Sequence, residues 1–150
     1  MRKFQLLARF SLLLSLACLS FLVCGCGDGR PARVKVSGHV TVDGKPLKFG
    51  GISFKPVGGG RMAGGGFDQN GQYSTTMYKE NDGLPVGKYT VAINAVESIG
   101  ERAQRWHAPR RYSNHTTAEL NVEISKETTD LNFELTWEES DHSKPWVENL

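Results

Sequence analysis

From Arg33 onward the chain reads in twos. Along 33–42, Val34, Val36, Val40 and Val42 share one face with Gly38, while Lys35, Ser37, His39 and Thr41 share the other. Alternation with β-branched residues is the pattern of a strand buried on one face. Ile52–Lys55 and Gln72–Thr76 predict two further short strands. The most marked strand follows: Tyr89, Val91, Ile93 and Ala95 line one face, Thr90, Ala92 and Asn94 the other, with Val96 at its end. Leu120, Val122 and Ile124 alternate with Glu119, Asn121 and Glu123; Leu131, Phe133, Leu135 and Trp137 alternate with Asn132, Glu134 and Thr136. Ser125–Asp130 between these two reads as a hairpin connection. About seven short strands with closely spaced turn signals predict an all-β fold. The expected architecture is a seven-stranded antiparallel β-sandwich.

A different pattern occupies the first 25 residues. Met1–Arg9 is basic, and Phe10–Val23 is an apolar segment of about 14 residues. That is the size of a signal-peptide core and short of the about 20 residues a spanning helix needs. It ends in Val23-Cys24-Gly25-Cys26, which resembles the lipobox of bacterial lipoproteins: an aliphatic residue three places before a cysteine, and a small residue directly before it. The resemblance implies that Cys26 receives a diacylglycerol group and becomes the first residue of the mature chain. Cys18 and Cys24 fit less well, with Ser15 and Val23 in the positions that matter. The implied location is the bacterial cell envelope, membrane-bound through lipidated Cys26, and Gly27 in second place leans towards the outer membrane. The chain then divides into a signal peptide at 1–25, a lipidated tether at 26–32, a β body at 33–137 and a polar tail at 138–150. The tail is expected to fray, with Trp146 as the residue able to dock.

Processing changes the charge. Arg2, Lys3 and Arg9 leave with the leader, so 18 basic residues become 15 against 16 acidic ones, and a formal +2 becomes −1. A nucleic-acid binder keeps a basic excess, and this body does not. All three cysteines lie at or before position 26, so the body forms no internal disulfide and holds no thiolate metal site. Its stability has to come from its own core, for which roughly 105 residues suffice.

The turns are rich in glycine. Asp43-Gly44-Lys45-Pro46 closes the first strand, and Gly58-Gly59-Gly60 separates the second from Gly64-Gly65-Gly66. The triple glycine lacks the strand–loop–helix setting and the Lys-Ser/Thr of a phosphate cradle, and reads as a hairpin loop. Asp68-Gln69-Asn70-Gly71 is a turn rather than a calcium loop, because Lys79 stands twelfth where a glutamate is required. Three stretches in order are Val36–Pro46, Asp68-Gln69-Asn70-Gly71-Gln72-Tyr73 and Leu84-Pro85-Val86-Gly87-Lys88-Tyr89-Thr90-Val91. Together they resemble the carboxypeptidase regulatory-like domains, and Pro109-Arg110-Arg111-Tyr112 and Asn132-Phe133-Glu134-Leu135 resemble that subgroup's closing part. The resemblance covers roughly Arg33 to Trp137. It implies a transthyretin-like, that is immunoglobulin-like, sandwich, common among small bacterial envelope lipoproteins, and no activity.

Little in the body points to chemistry. His39, His107, His115 and His142 form no His-Glu-x-x-His, and no Gly-x-Ser-x-Gly is present. No cofactor or metal is expected. The primary expectation is a non-catalytic envelope module that binds a protein or glycan partner. Its alternatives are a carbohydrate- or cell-wall-binding module, with Trp106, Trp146 and Tyr112 stacking on sugars, and a small hydrolase using His107 or His115. Glu97–Thr117 shows no strand alternation and is long for a connection. Arg102, Arg105, Trp106, His107, Arg110, Arg111 and Tyr112 gather in it, a mixture enriched at binding hot spots, which makes it the candidate interaction loop. The competing reading is a solvated crossover with a short helix at Ser98–Arg105, its arginines paired with Glu97 and Glu101.

Overall fold

The computed structural model describes residues 29–138, 141 and 146–149. The chain divides into two compact units, Met1–Pro31 and Ala32–Leu150. The leader and Cys26, like His142, lie outside the described residues, so the architecture below is that of the second unit.

Eleven short strands make the described fold all-β: β1 Ser37–Val42, β2 Lys45–Pro46, β3 Gly51–Pro56, β4 Ala63–Gly66, β5 Gln72–Ser74, β6 Gly87–Asn94, β7 Val96–Ser98, β8 Ala103–Trp106, β9 Leu120–Ile124, β10 Phe133–Leu135 and β11 Trp146–Asn149. A 3-10 turn spans Arg110–Ser113. One sheet is antiparallel and ordered β4-β3-β6-β9. A second is centred on β1, which pairs on one edge with β5 and then β2, and on the other with β10 in parallel. β7 and β8 form a hairpin that β11 extends.

The alternation of the sequence explains which side chains are inside. Val36 just before β1, Val40 and Val42 of β1, Tyr73 of β5, and Phe133 and Leu135 of β10 join Ile52, Phe54, Tyr89, Val91 and Ile93 of the other sheet in one apolar cluster. Phe54 lies at its centre, 6.0 Å from the Tyr73 ring and 6.3 Å from Tyr89 in an edge-on arrangement. Tyr73 and Tyr89 turn their hydroxyls outward to donate to the Leu131 and Pro85 carbonyls, both at 2.6 Å. Burial without an anionic partner raises the pKa of both phenols. Gly38 is required at its place, because a Cβ there would overlap the Leu131 carbonyl. The Asp43-Gly44 turn of the β1–β2 hairpin takes positive φ at both residues, 47° and 74°.

Three expectations are corrected. Ser125–Asp130 does not close a hairpin: β9 pairs with β6, whereas β10 pairs with β1. Thr128 bonds to Lys35 and Ser37 on the way, so the connection crosses from one sheet to the other. Where the sequence offers a solvated crossover with a short helix at Ser98–Arg105, the chain forms the β7–β8 hairpin, which lifts the strand number above seven. The tail adds a strand, with Trp146 in register with Trp106. Neither β7 nor β8 contributes a side chain to the core cluster, so neither needs an apolar face.

Candidate functional site

Three segments distant in the sequence meet beside the β1–β2 hairpin. The Asp43-Gly44 turn sends Lys45 and Pro46 back along β1, and Leu47 N–H then donates to the Val40 carbonyl at 2.9 Å. Leu47 is buried, so Lys48 and Phe49 are left at the surface. The β10 strand ends alongside, where Asp43 N–H donates to Leu135 O at 2.8 Å and Trp137 N–H reaches Asp43 Oδ1 at 3.3 Å. From the third side comes His107, fixed by its own N–H to the Ala95 carbonyl at 2.8 Å.

Between them is an open cleft of about 550 Å³ lined by Val42, Asp43, Lys45, Pro46, Leu47, Lys48, Phe49, His107 and Trp137. Its walls are mainly apolar. The His107 and Phe49 rings lie 5.1 Å apart at a tilt, and Phe49 keeps 41% of its surface exposed. His107 Nε2 is 2.9 Å from Glu97 Oε2, and because an ionised carboxylate only accepts, the imidazole must donate. Arg105 shares that carboxylate at 3.5 Å. The His107 ring is thereby held where it lines the cleft. Three aromatic rings with two ammonium groups at the rim suit a ring-bearing ligand carrying polar or anionic substituents.

Of the seven residues proposed as an interaction loop, His107 lines this cleft. Trp106 is buried at the end of β8, with the Arg110 guanidinium 5.6 Å from its ring centre. Arg111 is a clamp: it lies 4.5 Å from the Tyr112 ring, 3.0 Å from its hydroxyl and 3.2 Å from Glu138, and also bonds Asp141 and the Thr136 carbonyl. Tyr112 packs on the core cluster. Arg102 and Arg110 are exposed, and Arg105 is taken by Glu97. Trp106 is thus enclosed and Tyr112 half-buried, and the side chain of Trp146 lies outside the described residues.

His115 has a different setting. Its Nδ1 donates to the Thr90 carbonyl, 3.0 Å away, and its Nε2 lies 3.1 Å from Ser53 Oγ. The imidazole thus bridges β6 and β3 on the face away from the core, and the 3-10 turn packs against β6 there. Ala92 is buried on that face in consequence.

A third cluster gathers at the start of the body. Arg33 pairs with Asp82 at 3.1 Å, and the guanidiniums of Arg33 and Arg61 stand 5.0 and 4.9 Å from the Tyr78 ring centre. Burial works to raise the Asp82 pKa, but backbone N–H groups of Met77, Tyr78 and Lys79 and the charge of Arg33 outweigh it and leave the carboxyl below its ordinary range. Among the described residues no three His, Cys, Asp or Glu side chains converge as for a metal ion.

Of the cleft residues only His107 is singled out by the sequence; Lys45, Lys48, Phe49 and Trp137 are not. Phe49 alone carried a signal, as a large apolar residue outside any alternating run. Comparison with protein-family models, curated proteins and solved structures finds no match for this chain.

Proposed function

We propose that this protein is a non-catalytic binding module of the bacterial cell envelope, membrane-anchored through lipidated Cys26 and folded as a transthyretin-like sandwich. The observation that carries the binding reading is the aromatic cleft of Phe49, His107 and Trp137 with Lys45 and Lys48 at its rim. Side chains from three segments converge there and leave a ring face open, which packing alone does not require. Among envelope ligands, a glycan suits it best: pyranose rings stack on aromatic faces, and the lysines meet hydroxyls or carboxylates. The sandwich reading rests on the single cluster that draws side chains from both large sheets. Calorimetric titration of the full chain with chitooligosaccharides and oligogalacturonates tests it. Binding that falls at least tenfold in Trp137→Ala and Phe49→Ala, at unchanged melting temperature, is expected. No binding, or binding indifferent to both substitutions, overturns the cleft as the ligand seat.

The alternative of a small hydrolase on His115 has one contact in its favour, the Ser53 hydroxyl at 3.1 Å. Against it, β3 is paired on both sides, so its backbone donors are used in the ladder and do not form an oxyanion site beside Ser53. Labelling of Ser53 by a fluorophosphonate would favour the hydrolase.

A further inference from the structure

The end of the body that receives the tether carries an exposed apolar patch with basic residues at its edge. Val57 and Met62, at the two ends of the β3–β4 loop, are 64% and 51% exposed, and Val86 is 57% exposed. They are brought to one region by the backbone: Val57 N–H donates to the Lys88 carbonyl at 2.9 Å, two residues beyond Val86. Arg61 is held there by Nε donating to Met77 O at 2.8 Å, and its guanidinium shares the Tyr78 ring with Arg33. Val34, the next residue, pairs with Leu84, two positions before Val86. The start of the body at Arg33 and Val34 and the patch are therefore at the same end.

We propose that this end is a membrane-contact face, in which Val57, Met62 and Val86 enter the headgroup region of an anionic lipid surface while Lys55 and Arg61 meet its phosphates. The proposal rests on the reading of Cys26 as the lipid anchor. Six residues separate Cys26 from Arg33. At most about 3.5 Å each, they span about 20 Å, so the tethered end cannot leave the neighbourhood of the bilayer. At such distance a weak contact is made intramolecular, and even a modest patch is occupied for much of the time. The charge is suited to the partner: Asp82 takes Arg33 and Glu123 stands opposite Lys88 in register, whereas Lys55, in register with Thr90, and Arg61 face no carboxylate in the ladder or the ion pairs of the described residues. Apolar side chains set among cations are what an anionic interface retains.

The test uses the full lipidated chain in vesicles of phosphatidylethanolamine and phosphatidylglycerol, with hydrogen exchange read at 55–62 and 84–88. Exchange there is expected to slow severalfold relative to the same protein in neutral detergent, and less on phosphatidylcholine vesicles. The double variant Val57→Asp, Arg61→Glu should restore fast exchange while leaving the protein on the vesicles, and Lys48→Glu at the cleft should not. Vesicle-bound, lipidated protein whose exchange matches the detergent sample overturns the contact face alone. Absence of lipid on Cys26 by mass overturns the anchor reading and this proposal with it. Protection that arises only on adding envelope proteins assigns the patch to a protein partner and also overturns it.

Discussion

At the scale of single residues, a few side chains couple the fold to pH and to close backbone contact. The Asp82 carboxyl is held below its ordinary range, so it binds its proton less readily folded than unfolded. Its contribution is present at neutral pH and is lost as pH falls below about 4 and through the folded value. Melting temperature should drop in that acid window for the wild type, and the drop should be shallower in Asp82→Asn, which starts lower at neutral pH. Tyr73 and Tyr89 have the opposite sign: their raised values stabilise the fold below about pH 10, and the benefit is lost as pH rises through them. A base titration followed by tyrosinate absorbance should show Tyr73 and Tyr89 ionising only as the fold is lost. Gly38→Ala should cost about 1–3 kcal/mol in denaturant unfolding, because β1 must move off the Leu131 carbonyl.

At the scale of elements, period-two patterning was legible wherever one face meets the core. In β1 and β10, and on the core-facing side of β6, the buried residues are the ones alternation predicts. Val91→Asp places a charge at a fully buried site, where an unpaired ion costs several kcal/mol. It should abolish cooperative unfolding, and Thr90→Asp should retain a transition at reduced temperature. The outer face of β6 is not fully solvated as alternation alone suggests, since His115 and the 3-10 turn lie over it. The β7–β8 hairpin was illegible for a related reason. Glu97, Gln104 and Arg105 interrupt any apolar face, and the strands gain their order from pairing with each other and with β11. No local pattern records a partner that lies 40 residues away.

At the scale of the whole molecule, the cleft shares that illegibility. Phe49, His107 and Trp137 are aromatics in three separate connections, and only the convergence of the segments that follow β2, β8 and β10 places them together. The anchor, in contrast, is written in contiguous residues. Cys26→Ser should shift the protein from the membrane fraction to the soluble one or leave the leader uncleaved, as read by fractionation and intact mass; normal processing with membrane retention would refute it. The parallel pairing of β1 with β10 has a consequence in time. Val40 meets Phe133, 93 residues later. A chain delivered amino end first, from a ribosome or through a membrane channel, therefore holds β1 without that neighbour until nearly all of the body has emerged. Contacts of such separation close slowly, since the loop entropy is spent before the pairing rewards it. The slow step of folding should then be the docking of β10, and mutations in the β1–β10 seam should speed unfolding more than they retard collapse.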